Sequence, residues 1–283
     1  MPSPSESKSR SAELVKSALK AFAAKPPDLR QIGDTDGEIE YVRRMLPGYQ
    51  RTVEDVLELF DGKDDLSQLN IVELGAFLGI VSKSLSLASA KVVACDIPEF
   101  FGRPNVRTFF EGMGIQIKSF NLRTYTLPFA DASQDCVIAC ETFEHLNFNP
   151  LPVFAEINRI LKVGRYFYVA MPNGGFLLKR VRYLLSGNTP GFSVQELFGQ
   201  LDANQNMVVG LHWKEYSLRQ TIQMVTPIGF QVVNAKEVND AGSEDRGFLK
   251  RAMRQIVPGG DTQVVAFKKV ADFAGRFSVC ADS

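Results

Sequence analysis

The chain has 283 residues, 45% hydrophobic and 23% charged, enough for one large core with an appended piece. Lys plus Arg and Asp plus Glu each number 32, and this zero balance argues against a surface built to wrap nucleic acid. No stretch reaches the roughly 18–20 apolar residues of a membrane span, and the start MPSPSESKSRSAELVK lacks the apolar run of a secretory signal. Four cysteines at 95, 136, 140 and 280 follow no zinc spacing, and three sit in apolar strand-like runs as expected of reduced, buried thiols. A cytoplasmic location is the expectation.

Residues 1 to about 10 are rich in Ser, Pro and Lys and are expected to be disordered. SAELVKSALKAFAA (11–24) has helical apolar spacing and ends before Pro26-Pro27. EIEYVRRMLPGYQRTVEDVLELF (38–60) reads as helical segments broken at Pro47-Gly48. Then the rhythm changes. NIVELGA (70–76), KVVACDI (91–97), IQIKSFNL (115–122), QDCVIACE (134–141) and RYFYVAMPN (165–173) read as strands. Between them GIVSKSLSLA, RPNVRTFFEGMG and LPVFAEINRILK (151–162) read as helices, the last with Val153, Phe154, Ile157, Ile160 and Leu161 on one face.

After Asn173 the alternation stops for about 40 residues, longer than an ordinary loop. It resumes with a helix at SLRQTIQMVTPIGF (217–230) and two closing strands, QVVNAKEV and TQVVAFKKV, placed to pair with each other. This alternation predicts an α/β fold with a doubly wound, mostly parallel seven-stranded sheet of Rossmann-like type. The expected division is an N-terminal extension (1–45), a core (46–173), an insertion (174–213), the rest of the sheet (214–270) and a tail (271–283).

VELGAFLG (72–79) puts Gly75 and Gly79 at the first strand-to-helix turn, and Asp96 ends the second strand. Glycines let backbone approach a ligand, and an acid there accepts hydrogen bonds from ribose hydroxyls. Nicotinamide dehydrogenases share that logic, but their full G-x-G-x-x-G is absent.

The order of segments resembles the class I S-adenosylmethionine-dependent methyltransferases over about residues 50–240. The matching stretches are VELGAFLG, VVACDIP, FNLRTYTLPFADASQDCVIACETFEHL, EINRILKVGRYFYVAMPN and HWKEYSLRQTIQMVTPIGFQVV. The resemblance implies S-adenosylmethionine as cofactor, held by Glu73, Gly75, Ala76, Phe77, Gly79, Asp96, Ile97, Asn121, Leu122 and Cys140. Two positions depart from the pattern. Phe77 replaces the middle glycine, as an aromatic does in catechol-type methyltransferases. Asn121 replaces the usual acid, and its amide oxygen still accepts a bond from the adenine amino group.

CETFEHL (140–146) joins two carboxylates to one of the only two histidines in the chain. On a helical turn Glu141, Glu144 and His145 lie at i, i+3 and i+4 of one face. His212, in LHWKEYS, follows the insertion and is placed to fold back over the same edge. E-x-x-E-H resembles the metal segment of small-RNA 3′-end 2′-O-methyltransferases and of some ubiquinone-pathway O-methyltransferases. That resemblance implies a divalent site, magnesium by likeness, at Glu141, Glu144, His145 and His212, with His145, Glu144 and His212 catalytic. Two imidazoles leave manganese, cobalt and zinc open. The alternatives are a metal-free site with His145 as general base, and a purely structural or substrate-contacting cluster with His212 a packed loop residue.

The expected reaction is methyl transfer to a hydroxyl of a small molecule or saccharide. A ribose 2′-hydroxyl of RNA is the alternative acceptor, and a non-catalytic binding module the non-enzyme alternative. The insertion is expected to form a substrate lid. GGFLLKRVRYLLSG (174–187) reads as an amphipathic helix over the site, or as one whose Lys179, Arg180 and Arg182 meet a phosphate or lipid headgroup. Activity is expected to fall below about pH 6 as the histidines protonate.

Overall fold

In a computed structural model of the chain, residues 4–28, 35–62, 64–186, 211–239 and 259–275 are described. Helices α1 (Pro4–Ala24), α2 (Thr35–Arg44) and α3 (Leu46–Phe60) precede the sheet. Strands β1 (Asn70–Leu74), β2 (Lys91–Asp96), β3 (Gln116–Ser119), β4 (Gln134–Cys140) and β5 (Leu161–Pro172) then alternate with helices. These helices are α4 (Ile80–Leu87), α5 (Pro98–Phe101), α6 (Pro104–Met113) and α7 (Leu151–Ile160). After α8 (Leu177–Ser186) come α9 (Leu218–Val225), β6 (Phe230–Val238) and β7 (Thr262–Lys269).

The sheet order is β3-β2-β1-β4-β5-β7-β6. β1 to β5 are parallel, and β7 lies antiparallel between β5 and β6. The expected seven-stranded doubly wound sheet and closing hairpin are therefore present. β1 pairs β2 on one side and β4 on the other, so successive crossovers leave in opposite directions from it. That reversal opens a crevice beyond the carboxyl ends of β1 and β4, the usual ligand position in such sheets.

The central strands read as unbroken apolar runs because both faces are covered. On one face Ile71, Ile138 and Tyr168 pack with residues of α1, α3, α4 and α6. On the other, Phe143, Phe154, Phe167 and Phe267 stack into one aromatic cluster with Phe230.

The N-terminal stretch differs from its expectation. α1 starts at Pro4, so residues 4–10 are helical. The buried stripe Val15, Ala18 and Phe22 joins the core, and a helix nucleated there extends backwards at little cost. The break between α2 and α3 falls at Met45, with Pro47 in the first turn of α3, where its missing N–H costs nothing. Within the insertion only 174–186 and 211–213 are described; 187–210 and most of the tail, 276–283, lie outside the described residues. None of the helices among the described residues is long and apolar enough to cross a membrane.

Candidate active site

The β1–α4 turn is built from positive-φ backbone: Gly75 at +69° and Gly79 at +68°. Packing also demands glycine. A Cβ on Gly75 would collide with the Thr142 side chain, and one on Gly79 with the Phe110 ring. Contact of Gly75 with the β4 turn is a reason for glycine beyond ligand approach. Thr142 Oγ1 lies 2.9 Å from Cys140 O and 3.1 Å from Leu74 O, so one hydroxyl ties the ends of β1 and β4 together.

Around this turn, Ala76 N donates to Cys95 O at 3.0 Å. Phe77 N and Ile97 N donate to opposite oxygens of Asp96, each at 2.8 Å. Burial pushes the Asp96 carboxyl up to about 6, against those two bonds. Phe77 stacks on Phe100 and meets Tyr41 edge-on. Glu73 is spent on α4: its Oε2 accepts both Ser82 N, at 2.9 Å, and Ser82 Oγ, and burial lifts it to about 7. It sets the helix behind the turn. Asn121 Oδ1 accepts Arg123 N at 2.9 Å and caps the 3-10 turn at Leu122–Thr124, leaving the oxygen's second lone pair for a ligand. Cys140 Sγ is 3.5 Å from Thr52 Oγ1.

Asp96 therefore shapes the turn, in addition to the ribose contact expected of it. Asp96→Ala should weaken S-adenosylhomocysteine at least tenfold by calorimetry, since a bond to a charged group is worth about 1.5–3 kcal/mol. Equal affinity in variant and parent would overturn the role.

At the end of β4 the chain turns sharply. Glu141 adopts φ +48°, and Phe143–His145 form a 3-10 turn. The expected single helical face is thus absent, and the cluster is assembled across two segments. Trp213 N and Lys214 N both donate to Glu144 O, at 2.7 and 3.2 Å, which folds the 211–216 loop onto this turn. As a result one ligand atom each from Glu144, His145 and His212 lies within 4.8 Å of the others, and the two imidazoles meet edge-on at 4.9 Å. Glu141 is not in that trio. It stands beside it, burial holding its carboxyl up at about 7 against the pull of His212, Glu144, Lys179 and Arg51.

Each histidine has one nitrogen committed. His145 Nδ1 is 3.0 Å from Leu211 O, and a carbonyl only accepts, so Nδ1 carries the proton and Nε2 a lone pair. His212 Nδ1 is 3.2 Å from Glu215 Oε1, to which it donates. Lys179 Nζ holds the other Glu215 oxygen at 2.7 Å. Burial raises Glu215, but the bond from His212 and the Lys179 charge outweigh it and hold the carboxyl below its usual range. Burial, and then His212 beside it, push His145 down to about 4. Burial, and then the Glu141 charge, lift Glu144 well above its usual value. Both carboxyl oxygens of Glu144 are buried without an N–H donor, and the Glu141 carboxyl lies against them.

Several contributors escaped the sequence reading. Glu215 is one, although H-x-x-E in HWKE (212–215) has the right spacing to be seen. Lys179, one of the three cations of the insertion helix, pairs with Glu215. α3 supplies Tyr49, whose buried phenol neighbours Tyr41, Glu73, Glu141 and Cys140, and Arg51, whose charge acts on Glu141. No motif marks them. The insertion helix also differs: Leu177, Val181, Leu184 and Leu185 of α8 are exposed, so its aliphatic face does not cover the site.

Residues 72–169, from β1 into β5, match a methyltransferase domain family. Among solved structures the chain is similar to an S-adenosylmethionine-dependent methyltransferase from Archaeoglobus fulgidus, with TM-score 0.53 and 14% identity, over 80% of this chain and 94% of that one. It is similar also to one from Mesorhizobium loti, with TM-score 0.52 and 15% identity, over 80% and 97%. At these identities the likeness establishes the fold. None of the curated proteins matches the chain.

The domain match over 72–169 and the strand order together give the chain the α/β Rossmann-like fold of methyltransferase domains.

Proposed function

We propose that the chain is an S-adenosylmethionine-dependent methyltransferase that acts on a hydroxyl of a small molecule or saccharide, with a divalent metal held by Glu144, His145 and His212. The observation that carries this reading is the Glu144 carboxyl. Both its oxygens are buried without an N–H donor, and one ring nitrogen from each of two imidazoles lies within 4.8 Å of its ligand atom. Such a group is costly in a protein interior, and a cation offsets that cost. Two nitrogens and a carboxylate suit manganese, cobalt or zinc as well as magnesium.

When bound, the ion supplies charge that lowers the pKa of an acceptor hydroxyl. The chain's own groups do the rest. Asp96, Asn121 and the β1–α4 turn hold the methyl donor, and the cluster at the end of β4 orients the hydroxyl toward its sulfonium methyl. Glu141, the carboxyl beside the trio, takes the hydroxyl proton. The methyl group passes to oxygen, and S-adenosylhomocysteine leaves.

A metal-free site with His145 as base is disfavoured by its pKa near 4, too low to draw a proton from an alcohol. An RNA ribose is disfavoured by the zero net charge. A cytoplasmic place is supported by free thiols at Cys95, Cys136 and Cys140.

The test is methyl transfer from labelled donor to a panel of saccharides, catechols and RNA, before and after exhaustive chelation. The expected result is an alkali-stable methyl ether on a saccharide or small molecule, lost on chelation and restored by manganese, magnesium or cobalt. Full turnover with no metal found by elemental analysis would overturn the metal, and labelled RNA the acceptor class.

A further inference from the structure

Helix α8 leaves the carboxyl edge of the sheet beside the candidate site, and it is turned inside out. Its inward side carries Lys179, bound to Glu215, and Phe176 just before it is buried. Its outward side carries Leu177, Val181, Leu184 and Leu185, which are 50%, 43%, 83% and 81% exposed. At about 100° per residue these four form one stripe roughly 100° wide. Exposed Arg180 borders it on one side and exposed Arg182 on the other, and the helix LLKRVRYLLS has no acidic residue. A surface helix of a globular protein turns such a stripe toward the core.

We propose that α8 is a docking helix for an anionic lipid bilayer, with the leucines at the acyl boundary and Arg180 and Arg182 at the headgroup phosphates. Aliphatic residues flanked by arginines that reach outward are the pattern of a helix lying in the interface plane, and each cation adds attraction to an anionic leaflet. Charge selects this occupant over a second copy of the chain. A symmetric stripe-to-stripe pair would set Arg180 and Arg182 against cations on the other helix, with no carboxylate on either helix to answer them. The site lies close by, because Lys179 on α8 holds Glu215, which holds His212. A docked α8 thus brings the mouth of the site to the lipid surface.

Sedimentation of the full chain with vesicles tests this, and it needs neither metal nor methyl donor, so its outcome is separate from that of the O-methylation reading. The chain should bind phosphatidylcholine vesicles that contain phosphatidylglycerol, and salt should weaken that binding. Leu184→Gln with Leu185→Gln should lower the affinity by about tenfold or more. Arg180→Gln with Arg182→Gln should lower it several-fold and flatten its salt dependence. Both double variants should keep the parent's affinity for S-adenosylhomocysteine, which shows that they fold. No binding by the parent, equal binding to pure phosphatidylcholine, or unchanged binding by the leucine variant would each overturn the proposal. So would a parent dimer that the leucine variant splits, since the stripe would then be a subunit interface.

Discussion

His145→Ala or His212→Ala should abolish tight divalent-ion binding and lower kcat by at least about a hundredfold, while S-adenosylhomocysteine still binds. Each change removes one of three converging ligands, and a buried cluster that loses one leaves the others unmatched. The series should be graded. Glu215 orients His212 from outside the trio, and loss of such a partner costs about 10–100-fold in metal affinity. Glu215→Ala should fall in that range, and Glu215→Gln should be milder, because an amide oxygen still accepts from Nδ1–H. Calorimetric titration with manganese reads this without turnover. A His212→Ala protein that binds manganese as tightly as the parent would remove His212 from the site.

The metal-free protein should become more heat-stable as pH falls from about 8 to about 6, by roughly 5 °C. The sign follows from the buried carboxyls. Glu73 and Glu141 titrate near 7 and Asp96 near 6 in the folded chain, and Glu144 is raised as well. Each binds its proton more tightly folded than unfolded, so its contribution is full at low pH and is lost as pH rises through the folded value. His145 acts the other way. Held near 4, it lowers stability as pH falls below its ordinary value of about 6.5. Above about pH 6.5 the carboxyls act nearly alone, and that is the window to scan. Saturating divalent ion should flatten or reverse the slope, because it displaces protons from the cluster. A flat metal-free Tm across this window would show that the carboxyls are not perturbed. The pH 6 limit expected from histidine protonation does not apply to His145, which stays neutral there.

How much of this was visible in the sequence depends on whether a feature is local. The strand order was visible because β1 to β5 are short apolar runs cut by helices, and both faces of the sheet demand that pattern. Asp96 and the glycine turn were visible because their spacing is fixed within one βαβ unit. Glu144, His145 and His212 were visible only because histidine is scarce here. Their grouping follows from backbone bonds to Glu144 O, which no residue type encodes. Thr142 against Gly75, and Tyr49 and Arg51 from α3, are tertiary contacts between segments far apart in sequence, with no periodicity to betray them. The Lys179–Glu215 pair was not visible, because a cation on an amphipathic helix carries no sign of its partner.

Leu211 meets His145 across 66 residues of chain. The amides of Trp213 and Lys214 close that contact on Glu144 O. Docking of the loop and assembly of the ligand set are therefore one equilibrium. On the proposed metal reading, an ion that prefers the assembled set also prefers the docked loop, and the closure entropy of the intervening chain is set against its intrinsic affinity. Hydrogen exchange at the Trp213 amide then becomes a gauge of site occupancy, slowing in proportion to free ion concentration with no substrate present.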